Sequence, residues 1–70
     1  MPISLAPLEQ EMSVVRVSCD PKEISHLAAL GLVKEAKVKV LSVHAGAVVV
    51  LVKGSRLALD HQIASRVFVA

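Results

Sequence analysis

The apolar residues of this chain are gathered into valine-rich clusters no longer than a single strand, each closed off by a turn-former or a charge. Met12 to Ser18, Ala36 to Val40, Val48 to Lys53 and Arg66 to Val69 all read this way. Branched aliphatic side chains are stiff at χ1 and pack well on a pleated surface, so clusters of this kind favour strands. The longest apolar run, Ala45 to Val52, is interrupted by Gly46 and falls far short of the ~20 residues that cross a bilayer. No transmembrane helix is expected.

Hydrophobic residues make up 54% of the 70, yet Phe68 is the only aromatic one, so any core must be built from Val, Leu, Ala and Ile. A chain of this length buries a modest share of its surface and has little room for both a stable core and a deep cleft. A single domain over residues 1–70 without an elaborate catalytic pocket is expected. Cys19 is the only cysteine, which rules out an internal disulfide and agrees with a reducing compartment. Met1-Pro2-Ile3-Ser4 has neither the basic start nor the apolar run of a secretory signal, and the reading is a cytoplasmic protein with no direct membrane insertion. The net charge of +2 comes from scattered Lys and Arg, densest at Lys34, Lys37 and Lys39. Without aromatics to stack on bases, that bias does not describe a nucleic-acid surface.

Ser4-Leu5-Ala6-Pro7-Leu8 reads as a single turn that tucks its leucines under a sheet, and Met12 to Ser18 as the first strand. The clearest local signal follows. Asp20 is placed as an N-cap, Pro21 at the first helical position and Glu23 at the third, where its carboxylate can reach back to the Asp20 amide. Ile24, Leu27, Ala28 and Leu30 keep helical spacing, and Gly31 suits the left-handed residue that ends a helix, which gives a helix from Pro21 to Leu30. Ala36-Lys37-Val38-Lys39-Val40 alternates as a half-buried strand, and the phase then slips at Leu41 and Val43, which predicts a bulge. His44 to Ala47 turns the chain into a third strand, Val48 to Lys53, apolar on both faces. Gly54-Ser55 is read as a tight turn, Arg56 to Leu59 as a fourth strand, Asp60 to Ala64 as a capped single turn and Arg66 to Val69 as a last strand. Five short strands with one short helix between the first and second make a mainly β fold, and a small closed or nearly closed barrel would dispose of the exposed edges.

Three stretches in this order, Leu5-x-x-Leu8, Leu27-x-x-Leu30-Gly31-Leu32 and Gly54-Ser55-Arg56-Leu57-Ala58-Leu59 with a closing Val67-x-Val69, resemble the FeoA family across almost the whole chain. That resemblance implies an SH3-like barrel and a non-enzymatic accessory role in ferrous-iron uptake. The implied partner is FeoB, the membrane transporter with a GTPase domain. Where the family favours Pro-Gly after the helix, this chain has Lys34-Glu35, which must make the turn without glycine's freedom at positive φ. An alternative of another class stays open: a stand-alone SH3-like regulatory module related to the C-terminal domain of metal-dependent transcriptional repressors.

No catalytic, cofactor or metal site is expected. His26, His44 and His61 fall on a helix, a turn and a C-terminal loop, without the close pairs of a ligand set. For Cys19, Asp20 raises the thiol pKa while the following helix N-terminus lowers it, and no catalytic partner is in view. Gly31 and Gly54 belong to no phosphate-cradling motif. A partner surface is expected at Leu30, Gly31, Leu32, Lys34, Lys37, Gly54, Ser55 and Arg56. Apolar residues of both parities on Val48 to Val52 add an exposed patch, with homo-oligomerisation left open.

Overall fold

The computed structural model describes residues 1–70. A 3-10 turn, Ile3–Leu5, precedes strand β1 (Glu11–Val17) and helix α1 (Pro21–Ala29). Strands β2 (Lys37–His44), β3 (Ala47–Val52) and β4 (Ser55–Leu59) form a meander, and helix α2 (His61–Ala64) leads into β5 (Val67–Val69). All neighbouring strands are antiparallel, in the order β4-β3-β2-β1-β5.

This arrangement corrects the expected mainly β, SH3-like barrel: the molecule is a small mixed β/α domain whose five-stranded sheet does not close, because β4 and β5 are its two edges and do not pair. The physical reason lies at β5. That strand is three residues long, and its outer side is already occupied by the N-terminal segment, where Val69 N–H donates to the Met1 carbonyl at 2.8 Å and Pro2 bridges Phe68. No ladder positions remain there for β4.

The core is aliphatic. Val14, Val38, Val40, Val48, Val50, Val52, Leu59, Val67 and Val69 bury one face of the sheet against Ile3, Leu27, Leu32 and Ala64. The slip of phase in β2 is a bulge at Leu41, since Val40 pairs with Val50 and the next pair is Ser42 with Val49. A second bulge interrupts β1, where Val14 pairs with Val69 and Arg16 with Phe68, leaving Val15 as the extra residue. Both hairpins of the meander use two-residue loops with positive φ at each position, Ala45-Gly46 and Lys53-Gly54, the mirror-image turns that match strand twist. The second turn therefore lies one residue before the expected Gly54-Ser55, and Ser55 already belongs to β4.

The start of α1 follows the sequence reading in part. Asp20 Oδ1 accepts from Glu23 N–H at 2.8 Å, while the Glu23 side chain makes no return bond. Asp60 repeats the device for α2, accepting from Ile63 N–H at 2.9 Å. At the other end, Gly31 N–H donates to the Ala28 carbonyl and Leu32 N–H to the Leu27 carbonyl, both at 2.9 Å. With Gly31 at φ 95°, this is a Schellman cap, completed by Leu27 and Leu32 buried together. The opening turn differs from expectation: Leu5 and Leu8 are 71% and 55% exposed, and it is Ile3 and Ala6 that enter the core. A turn this short presents one side inward, and Ile3 takes it.

Lys34-Glu35 makes its turn with Glu35 at φ 76°, a conformation that costs a residue with a Cβ about 1–2 kcal/mol. Glu35 N–H donates to the Val14 carbonyl at 2.6 Å, so the strained residue is also the one that fastens the post-helix loop to β1. Glu35→Gly keeps that bond and relieves the strain, less the extra chain entropy of glycine. It is expected to raise stability by about 0.5–1 kcal/mol in urea melts.

Candidate functional site

A helix held to a sheet by a wide apolar stripe leaves little exposed between them, and α1 is not held that way. Of its expected apolar positions only Leu27 is fully buried, at 2% exposure, while Ile24 remains 40% exposed and Leu30 and Ala28 face solvent. The space that results is a groove of about 350 Å³ between β1 and α1, lined by Val15, Val17, Ile24, Leu32 and Val33 with Arg16 and Lys34 beside them. The bulge in β1 creates one wall. A bulged residue re-aims its side chain, and Val15 is thereby turned out of the sheet into the groove. Leu32 forms the floor while remaining buried, and Val33 is exposed. The Arg16 guanidinium lies 4.4 Å from the centre of the Phe68 ring, a cation–π contact that holds this basic side chain over β5.

The expected partner residues divide among three places. Leu32 and Lys34 belong to the groove, and Leu30 stands exposed at the helix end. Gly31 is buried, and a Cβ added there would sit 3.4 Å from Lys53 Cδ, so the helix corner rests against the residue that precedes Gly54. Lys37 donates from Nζ to Ser13 Oγ at 2.8 Å across β2 and β1. Gly54, Ser55 and Arg56 are exposed at the β3–β4 hairpin, where Arg56 pairs with Leu51 on the outer face. On β3 itself the expected two-sided patch is graded: Val48, Val50 and Val52 are buried, and Val49 and Leu51 are half-buried on the outer face.

Val15, Val17, Ile24 and Val33 were not expected in a site. A signal for one of them existed, because Val14-Val15 places two apolar residues in succession on a strand that otherwise keeps alternate faces. The exposure of Ile24 carries no such mark, since its spacing is that of a buried position.

No three His, Cys, Asp or Glu side chains converge as metal ligands. Cys19 shares a small surface pocket with Asp20, Glu23, Gln62, Ile63 and Arg66. Burial pushes its thiol pKa up, the Glu23 and Asp20 carboxylates push the same way, and Arg66 opposes them, so the nucleophilic thiolate is disfavoured. No helix is long and apolar enough to cross a membrane.

The FeoA domain model matches residues 1–70. Among solved structures, an iron uptake regulatory protein FeoA superposes with a TM-score of 0.87 at 27% identity, covering 99% of this chain and 93% of that one. The FeoA protein of Chlorobium tepidum gives 0.86 at 28% identity, over 99% of this chain and 68% of that one. A manganese-dependent transcriptional repressor gives 0.86 at 20% identity, over the whole of this chain and 40% of that one, a likeness of fold alone. No curated protein sequence matches.

Proposed function

Because the chain belongs to the FeoA domain family, a family of non-enzymatic accessory domains of ferrous-iron transport systems, we propose that it binds the cytoplasmic part of a FeoB-type GTPase transporter and regulates it there. The observation that carries the reading beyond the family is the groove between β1 and α1. It brings three exposed aliphatic side chains, Val15, Ile24 and Val33, together beside a helix, rimmed by Arg16 and Lys34, and a partner segment with apolar residues and flanking carboxylates fits it. Leu30 and Lys34 extend the contact along the rim, and Leu32 shapes its floor. Lys37 adds positive charge on β2.

Calorimetric titration against the soluble cytoplasmic domain of a FeoB-type transporter tests this. Binding is expected, and Ile24→Asp and Val33→Glu should each weaken it at least about tenfold, or 1.4 kcal/mol, by placing an unpaired charge against apolar surface. Both positions are exposed, so the melting midpoints should hold. Absence of binding near 1 mM, roughly 4 kcal/mol of affinity, overturns the proposal, and binding that ignores both substitutions removes the groove from it.

A further inference from the structure

The two edges of the sheet are treated differently. At β5 the outer backbone groups are taken by Met1 and Pro2. At β4 nothing covers them. The alternation of ladder bonds can be followed across the sheet from β1: Val14 N–H and C=O bond toward the β2 side, to Ala36 and Glu35, while Ser13 bonds toward β5, to Ala70. Met12 therefore exchanges bonds with Val38, Lys39 with Leu51, and Val50 and Val52 with Leu57 and Ser55. The remaining residues of β4, Arg56 and Ala58, turn their N–H and C=O groups outward, and none of the loop, turn or cap hydrogen bonds uses them.

We propose that this edge is a self-association site, at which two copies of the chain pair antiparallel through β4 to give a two-fold dimer with a ten-stranded sheet. The free groups restrict the register, since outward residues must face one another. In the arrangement that exposes both of them to a partner and puts Leu57 on the axis, Arg56 lies opposite Ala58 of the second copy and Ala58 opposite its Arg56, with Leu57 meeting Leu57. The charges favour that arrangement. β4 runs from the basic Lys53 and Arg56 to the acidic Asp60, so an antiparallel copy brings each Arg56 diagonally next to the other copy's Asp60. Asp60 uses Oδ1 for the α2 cap and keeps Oδ2 for such a contact. A parallel pairing, or one shifted to set Arg56 opposite Arg56, would oppose like charges; the shift that sets Ala58 opposite Ala58 would also pair Arg56 with Asp60 but takes Leu57 off the axis, so cross-linking at position 57 separates the two. Leu57, half-buried against the core, would be covered by its own symmetry mate. The proposal is independent of the transporter reading, because β4 takes no part in the groove.

An edge of five residues buries little surface, so the dissociation constant is expected on the order of 100 µM, and sedimentation equilibrium from about 10 µM to about 1 mM should show the mass doubling. Ala58→Pro deletes an outward N–H that the monomer does not use and should abolish the dimer. Arg56→Glu, placed against Asp60, should weaken association about tenfold without touching the backbone. Should Ala58→Pro perturb the fold by circular dichroism, the pair Cys19→Ser, Leu57→Cys decides. Cα atoms in this kind of pair stand about 4.5 Å apart, within disulfide range, so oxidation should cross-link it at position 57 in high yield. A wild-type chain that stays monomeric near 1 mM overturns the proposal, and so does a dimer that survives Arg56→Glu unchanged and fails to cross-link.

Discussion

Val50→Asp is expected to leave the chain largely unfolded at room temperature. Val50 is 0% exposed at the middle of the central run of β3, paired with Val40 on one side and Leu57 on the other. Replacing it removes the burial of a valine side chain, about 1.5–3 kcal/mol, and adds the cost of placing a carboxylate where no hydrogen-bond donor waits, so a loss of about 4 kcal/mol or more follows. A domain of this size holds roughly 4–10 kcal/mol in total, at about 0.05–0.15 kcal/mol per residue. Val50→Thr, which keeps the shape and exchanges one methyl for a hydroxyl, should cost about 1–3 kcal/mol and leave a folded protein. Urea melts followed by far-ultraviolet circular dichroism separate the two. Equal midpoints for Val50→Asp and the wild type would mean that this side chain does not point into the core.

Gly31→Val is expected to cost about 2–3 kcal/mol, the strain of a β-branched residue held at a left-handed conformation. Gly31 has φ 95°, and its amide and that of Leu32 close the end of α1. The neighbouring contact is secondary, because a Cβ would meet Lys53 at 3.4 Å through a side chain that can swing away. Gly54 provides the comparison: its φ is 78° and nothing lies within 4 Å of an added Cβ. Gly54→Ala and Gly31→Ala should therefore each lose about 1–2 kcal/mol, by strain alone, and the valine should exceed both. Similar midpoints for Gly31→Val and the wild type would show that the helix end does not depend on this cap.

The elements themselves were readable from local chemistry. Asp20-Pro21 at the head of α1, Gly31 at its foot and the slip of phase at Leu41 each report a backbone event that a few neighbouring residues decide. Closure of the sheet was not readable, because it depends on whether β4 and β5 meet, and that turns on Met1 and Pro2 reaching the outer side of a strand at the far end of the chain, Met1 bonding to Val69, 68 positions away. The groove shows the same division. Val14-Val15 signalled a disturbed strand, but helical periodicity marks Ile24 and Leu27 alike as inward, and only the angle at which α1 lies on the sheet decides that Leu27 is covered and Ile24 is not. Lys34 was expected at a surface for its charge, and it stands at the groove rim because Glu35, at positive φ, turns the loop back onto β1.

The segment lying along β5 also sets a limit on growth. A sheet whose two sides were both bare could add strands from either side and lengthen without end, as fibres do. Here one side is sealed from within the chain, so a single addition along Arg56 and Ala58 exhausts the available positions, and whatever attaches there completes the assembly.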